Sequence, residues 1–160
     1  MLQLMGDKRV RLLVCGERLR GDDGAAILAV EALDGATRAL VDVVEVGQLS
    51  VESLLDVPEG VGIVVADAAL GIPAGHVVTL TLDEVAGRAA VGTPASSHSL
   101  PPDQVLALAE EIRGSPMRGI FVGIGGAEFG FGEPLSPAVE AGLPAFAAAL
   151  ADEIRRLAAS

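Results

Sequence analysis

At 160 residues, 51% of them hydrophobic, the chain is long enough for one domain that buries roughly two-thirds of its unfolded surface and too short for two independent cores, so 1–160 is read as a single domain. A formal net charge of −11, with no run of Lys or Arg, repels a phosphate backbone and excludes nucleic acid as a partner. No apolar stretch reaches the roughly 20 residues that span a bilayer, and 1–14 carries charges where a signal peptide is apolar; a cytoplasmic protein with no membrane insertion is expected.

The first apolar run, VRLLV (10–14), reads as a strand with Cys15 at its end, where an inert buried thiol is expected. Asp22 and Asp23 follow at the start of a helix that places Ile27, Val30 and Leu33 on one face, with Gly35 as its stop. A second strand is predicted over 40–46 (LVDVVEV) and a short helix over 51–56. The run 61–66 (VGIVVA) is a third strand, closed by Asp67, and the alternating HVVTLTL (76–82) a fourth. His76, at its start, has no acidic neighbour close in sequence and reads as structural or surface.

After ASSHSLPP a helix with Val105, Leu108 and Ile112 on its apolar face ends at Gly114. The strand GIFVGI (119–124) leads into the Gly-dense loop GGAEFGFGEP (125–134), expected to be mobile, in which Phe129 and Phe131 are candidates for core anchoring or for contact with a peptide. The last helix starts at Ser136-Pro137 and carries Val139, Leu143, Phe146, Leu150, Ile154 and Leu157 as one stripe, with a kink expected at Pro144. Strands alternating with helices predict an α/β domain with a mostly parallel sheet covered on both faces.

In such sheets functional groups gather beyond the carboxyl ends of the strands. Asp22 and Asp23 follow the first strand, Asp67 ends the third, and His98 precedes a helix. Singly, each has a plain reading: a helix cap, a turn residue, a solvated loop histidine. Jointly, they converge. Two carboxylates about 4 Å apart repel by roughly 4 kcal/mol at an effective dielectric of 20, so a shared acidic site calls for a proton or a cation. Asp23, Asp67 and His98 offer mixed oxygen and imidazole ligands to zinc, nickel or a similar first-row ion, which makes metal-assisted hydrolysis a natural hypothesis. The Gly-dense loop lacks both the dinucleotide fingerprint and the Lys of a phosphate-binding loop.

Taken in order, GERLRGDDGAA (16–26), VVADAALGIPAG (64–75), SSHSLPPDQVLALA (96–109) and FVGIGG followed by PLSPAVEAGL (121–143) resemble the motifs of the hydrogenase maturation proteases across nearly the whole chain. The resemblance implies a three-layer αβα sandwich around a twisted, mostly parallel sheet of the phosphorylase/hydrolase type. It further implies an endopeptidase that removes a C-terminal peptide from a [NiFe] hydrogenase large-subunit precursor once nickel has entered it. Asp23, Asp67 and His98 then stand at the family's three metal-contacting and catalytic positions, with Asp22 supporting Asp23. Nickel is the implied metal, carried by the protease, the precursor or both, with zinc or cadmium as occupants of the isolated protein.

Two departures stand out: Glu17 replaces the Asn of the first motif, and Ala26 its last Gly. A looser match at 45–55 has Val46 in place of a glycine. Glu17 motivates an alternative, a non-proteolytic hydrogenase-assembly or nickel-binding factor. A small-molecule α/β hydrolase is a further alternative, since fold alone does not set function.

Overall fold

The computed structural model describes residues 9–88 and 101–160. Five strands and six helices alternate along them: β1 (Val10–Cys15), α1 (Ala25–Glu31), α2 (Gly35–Arg38), β2 (Val41–Gly47), α3 (Val51–Leu55), β3 (Gly62–Ala69), β4 (Val77–Thr81), α4 (Leu82–Gly87), α5 (Pro102–Arg113), β5 (Gly119–Gly125) and α6 (Pro137–Ala159). The strands form one sheet in the order β2-β1-β3-β5-β4, with β4 antiparallel to β5 and the other neighbours parallel.

The near-continuous apolar runs of β1 and β3 are explained by burial on both sides of the sheet. Leu12, Val14, Val64, Ala66, Val122 and Ile124 pack under α1 and α6 with Phe146, Leu150 and Ile154. Leu13, Cys15, Ile63, Val65 and Phe121 pack on the opposite side with Leu54, Leu82, Leu106 and Met117 from α3, α4, α5 and the segment after α5. The predicted three-layer αβα sandwich is what the chain builds.

Several details depart from the sequence reading. The helix expected near Asp22 starts with a separate 3-10 turn, Gly21–Gly24, before α1. Gly35 does not simply end α1: Asp34 caps α2 by accepting the Thr37 N–H at 2.7 Å, as an Asp before a helix turn does. The run 76–82 ends earlier than its alternation suggests, because Thr81 and Glu84 form a capping box that starts α4.

Candidate functional site: an acidic cleft at the carboxyl edge of the sheet

The chain after β1 turns back on itself within eight residues. Gly16 has φ +118°, and a Cβ there would stand 1.9 Å from the Asp23 carbonyl oxygen, so only glycine lets the turn close. The Glu17 N–H donates to that carbonyl at 3.2 Å and to the Asp23 carboxylate at 3.0 Å, and the Asp23 N–H donates to the Arg20 carbonyl at 3.0 Å. These bonds hold the Asp23 side chain in one place.

Asp67 arrives from the next strand of the sheet. It continues the face of Ile63 and Val65 and lies in register with Gly123 of β5. Asp23 and Asp67 line one cleft of about 620 Å³, together with Glu17, Arg20, Gln48, Leu49 and the start of α5 at Pro101 and Pro102.

The two carboxylates are electrostatically joined. Burial, then the charge of Asp23, push the Asp67 carboxyl up from 3.8 to about 7, against a hydrogen bond from the Ala68 backbone. Asp23 is also held above its ordinary value, by burial first, while the Glu17 N–H and the Arg20 charge pull it down. Such a pair holds a proton near neutrality, or exchanges it for a cation.

Cys15 lies beneath them. It is buried, and burial followed by the charges of Asp67 and Asp23 raises its thiol far above the ordinary range, which removes it as a nucleophile and agrees with the inert thiol expected.

Asp22 corrects the sequence reading. Expected to support Asp23, it serves the Gly-dense loop instead. It is fully buried, and it accepts the N–H groups of Ala127 (2.8 Å), Glu128 (2.9 Å) and Ser136 (2.7 Å) and the Ser136 hydroxyl (2.9 Å). Burial pushes its carboxyl up, but these bonds outweigh burial and hold it below its ordinary value. Its own N–H donates to the Glu128 carbonyl at 2.6 Å, and Gly21, at φ +58°, lets that carbonyl come within 2.3 Å of where a Cβ would stand.

The loop is therefore tied down rather than loose. Phe129 packs against the core under α1 and α6, while Phe131 is exposed. His76 is exposed at the start of β4 and does not line the cleft. His98 lies outside the described residues, and among those described no three His, Cys, Asp or Glu side chains gather as a metal site. No helix among them is long and apolar enough to cross a membrane.

Fold and cleft together define an αβα domain with paired carboxylates at its strand ends. The family model described as HycI, hydrogenase maturation protease, matches residues 27–153, and the chain belongs to that family of hydrolases. Asp67 and His98 fall inside the matched residues; Asp23 precedes them.

Solved structures agree on the fold. The hydrogenase maturating endopeptidase HybD from E. coli superposes with a TM-score of 0.70 at 22% identity, over 92% of this chain and 93% of that one. The [NiFe] hydrogenase maturation protease HybD from Thermococcus kodakarensis gives 0.66 at 25% identity, over 90% and 97%. The [NiFe] hydrogenase maturation protease HycI from Thermococcus kodakarensis KOD1 gives 0.62 at 22%, over 92% and 93%. No curated protein is a significant sequence match to the chain.

Proposed function

We propose that this protein cuts a C-terminal peptide from a nickel-loaded [NiFe] hydrogenase large-subunit precursor in the cytoplasm, and that Asp23, Asp67 and His98 are the groups that meet the nickel. The observation that carries this reading is the convergence of Asp23 and Asp67 in one cleft, where burial first and the Asp23 charge second raise the Asp67 carboxyl to about 7. A divalent cation replaces the proton that this pair otherwise retains, and two carboxylates with an imidazole suit a first-row ion.

In this reading nickel arrives with the precursor and belongs to the substrate, while zinc or cadmium occupy the isolated protein. Held by these residues, such an ion would supply Lewis-acid polarisation of the scissile carbonyl or of a water. The chain's own contribution is to hold its ligands: the Glu17 N–H fixes Asp23, and β3 fixes Asp67. Asp67 would hold the ion as the carboxylate, with its proton released to solvent. His98 joins them on the strength of the motif resemblance, since it lies outside the described residues.

Glu17, in place of the family's Asn, acts on Asp23 in two ways: its backbone N–H donates to the Asp23 carboxylate at 3.0 Å, and its charge pushes the Asp23 carboxyl up. It also lines the cleft, so it still motivates the assembly-factor alternative, in which the precursor is bound and its mass stays unchanged.

The test uses purified precursor, with and without nickel, and mass spectrometry. Wild-type protein is expected to release the C-terminal peptide only from nickel-loaded precursor, and Asp23→Ala to release none. Cleavage by Asp23→Ala at the wild-type rate would remove Asp23 from the mechanism.

A further inference from the structure

The segment that supplies Glu17 and Arg20 to the acidic cleft meets the Gly-dense loop. Leu19 lies between Glu17 and Arg20, both of which line the cleft, and its carbonyl accepts the Gly132 N–H at 2.8 Å, which brings Leu19 beside Phe131. Leu19 is 64% and Phe131 78% exposed. The loop that displays Phe131 is held firmly: Asp22 takes three of its backbone N–H groups, two before the tip and one after it, and Phe129, two residues away, packs into the core. A mere connector needs neither a buried carboxylate at its base nor a large apolar side chain facing water at its tip. A preorganised docking element needs both, because order before binding lowers the entropic cost of binding.

We infer that Leu19 and Phe131 form a docking patch that grips an apolar segment of the precursor polypeptide beside the stretch entering the cleft. The inference rests on the endopeptidase reading above. The place of Leu19 between two cleft-lining residues, Glu17 and Arg20, favours a polypeptide substrate as the occupant. A second copy of this chain is disfavoured, since each copy carries a net charge of −11 and would bring Glu128 and Glu133, beside Phe131, against their equivalents. An anionic membrane surface meets the same repulsion.

The experiment measures cleavage kinetics on nickel-loaded large-subunit precursor for Phe131→Ser and Leu19→Ser, singly and together, with thermal melting and sedimentation as controls. Each single variant is expected to melt and sediment as wild type and to raise KM roughly tenfold to a hundredfold with kcat unchanged. The double variant should do less than the product of the two, because both side chains serve one contact. Unchanged KM in Phe131→Ser overturns the inference, as does a fall in wild-type oligomer size on that substitution, which would assign the patch to a second copy.

Failure of the endopeptidase reading looks different. Precursor would then stay uncut by wild-type protein at every concentration, and the patch is read from binding alone, in the Asp67→Asn background. There Phe131→Ser is expected to weaken precursor binding by the same factor, and equal binding overturns the inference.

Discussion

Replacing Asp67 by Asn in metal-free protein should stabilise the fold while destroying its activity, and the stabilisation should depend on pH. The folded-state carboxyl titrates at about 7 instead of 3.8, chiefly through burial and then through Asp23. A folded pKa above the unfolded value means that the stability contributed by neutral Asp67 is fully present below about pH 4 and is lost as pH rises through about 7. At about 1.4 kcal/mol per tenfold change in ionisation, holding Asp67 charged at pH 8 costs up to roughly 4 kcal/mol, and rearrangement around the charge brings the expected cost to about 2–4 kcal/mol. Asn keeps the shape and removes the charge. Urea unfolding after EDTA treatment should therefore show Asp67→Asn more stable than wild type by about 2–4 kcal/mol at pH 8 and by only about 1–2 kcal/mol at pH 5. Adding a divalent ion at a hundred times its dissociation constant should return about 2.7 kcal/mol to wild type and less to the variant. Equal differences at the two pH values would refute the argument that the cleft holds Asp67 at an energetic cost.

Other consequences are as direct. Asp22→Ala leaves three backbone N–H groups and a hydroxyl without their shared acceptor, so it should lower stability by about 3–5 kcal/mol in urea unfolding, well beyond an average surface change. Gly16→Ala forces a Cβ onto the Asp23 carbonyl at a positive φ, and it should destabilise by more than about 2 kcal/mol and abolish precursor cleavage together. Cys15→Ala should keep wild-type cleavage, and iodoacetamide should leave the native protein unmodified by mass, because the thiol is buried and strongly held protonated.

Much of this was legible in the residues. Runs such as VRLLV and GIVVA are apolar on both faces, which only a covered sheet explains, and the strand-end rule points to Asp22, Asp23, Asp67 and His98 as a group. What stayed hidden depends on tertiary contacts. Asp22 and Asp23 are adjacent carboxylates of equal chemistry, and which one faces the cleft is decided by a 3-10 turn and by a loop more than a hundred residues away. The roles of Phe129 and Phe131 likewise depend on which ring the anchored loop turns inward. Helix α4 has a readable start in Thr81-x-x-Glu84, but that signal overlaps the alternating run 76–82 and a strand reading masks it. The direction of β4 is not written in its alternation, since both parallel and antiparallel edge strands show it.

The central claim is that the Asp23–Asp67 cleft performs C-terminal processing of a hydrogenase large subunit. Its most direct test is the intact mass of that subunit isolated from source cells carrying the wild-type protein or Asp67→Ala. The account predicts a mature subunit with wild type and a subunit longer by the uncut C-terminal peptide with Asp67→Ala. A fully mature subunit in cells whose only copy is Asp67→Ala would contradict it.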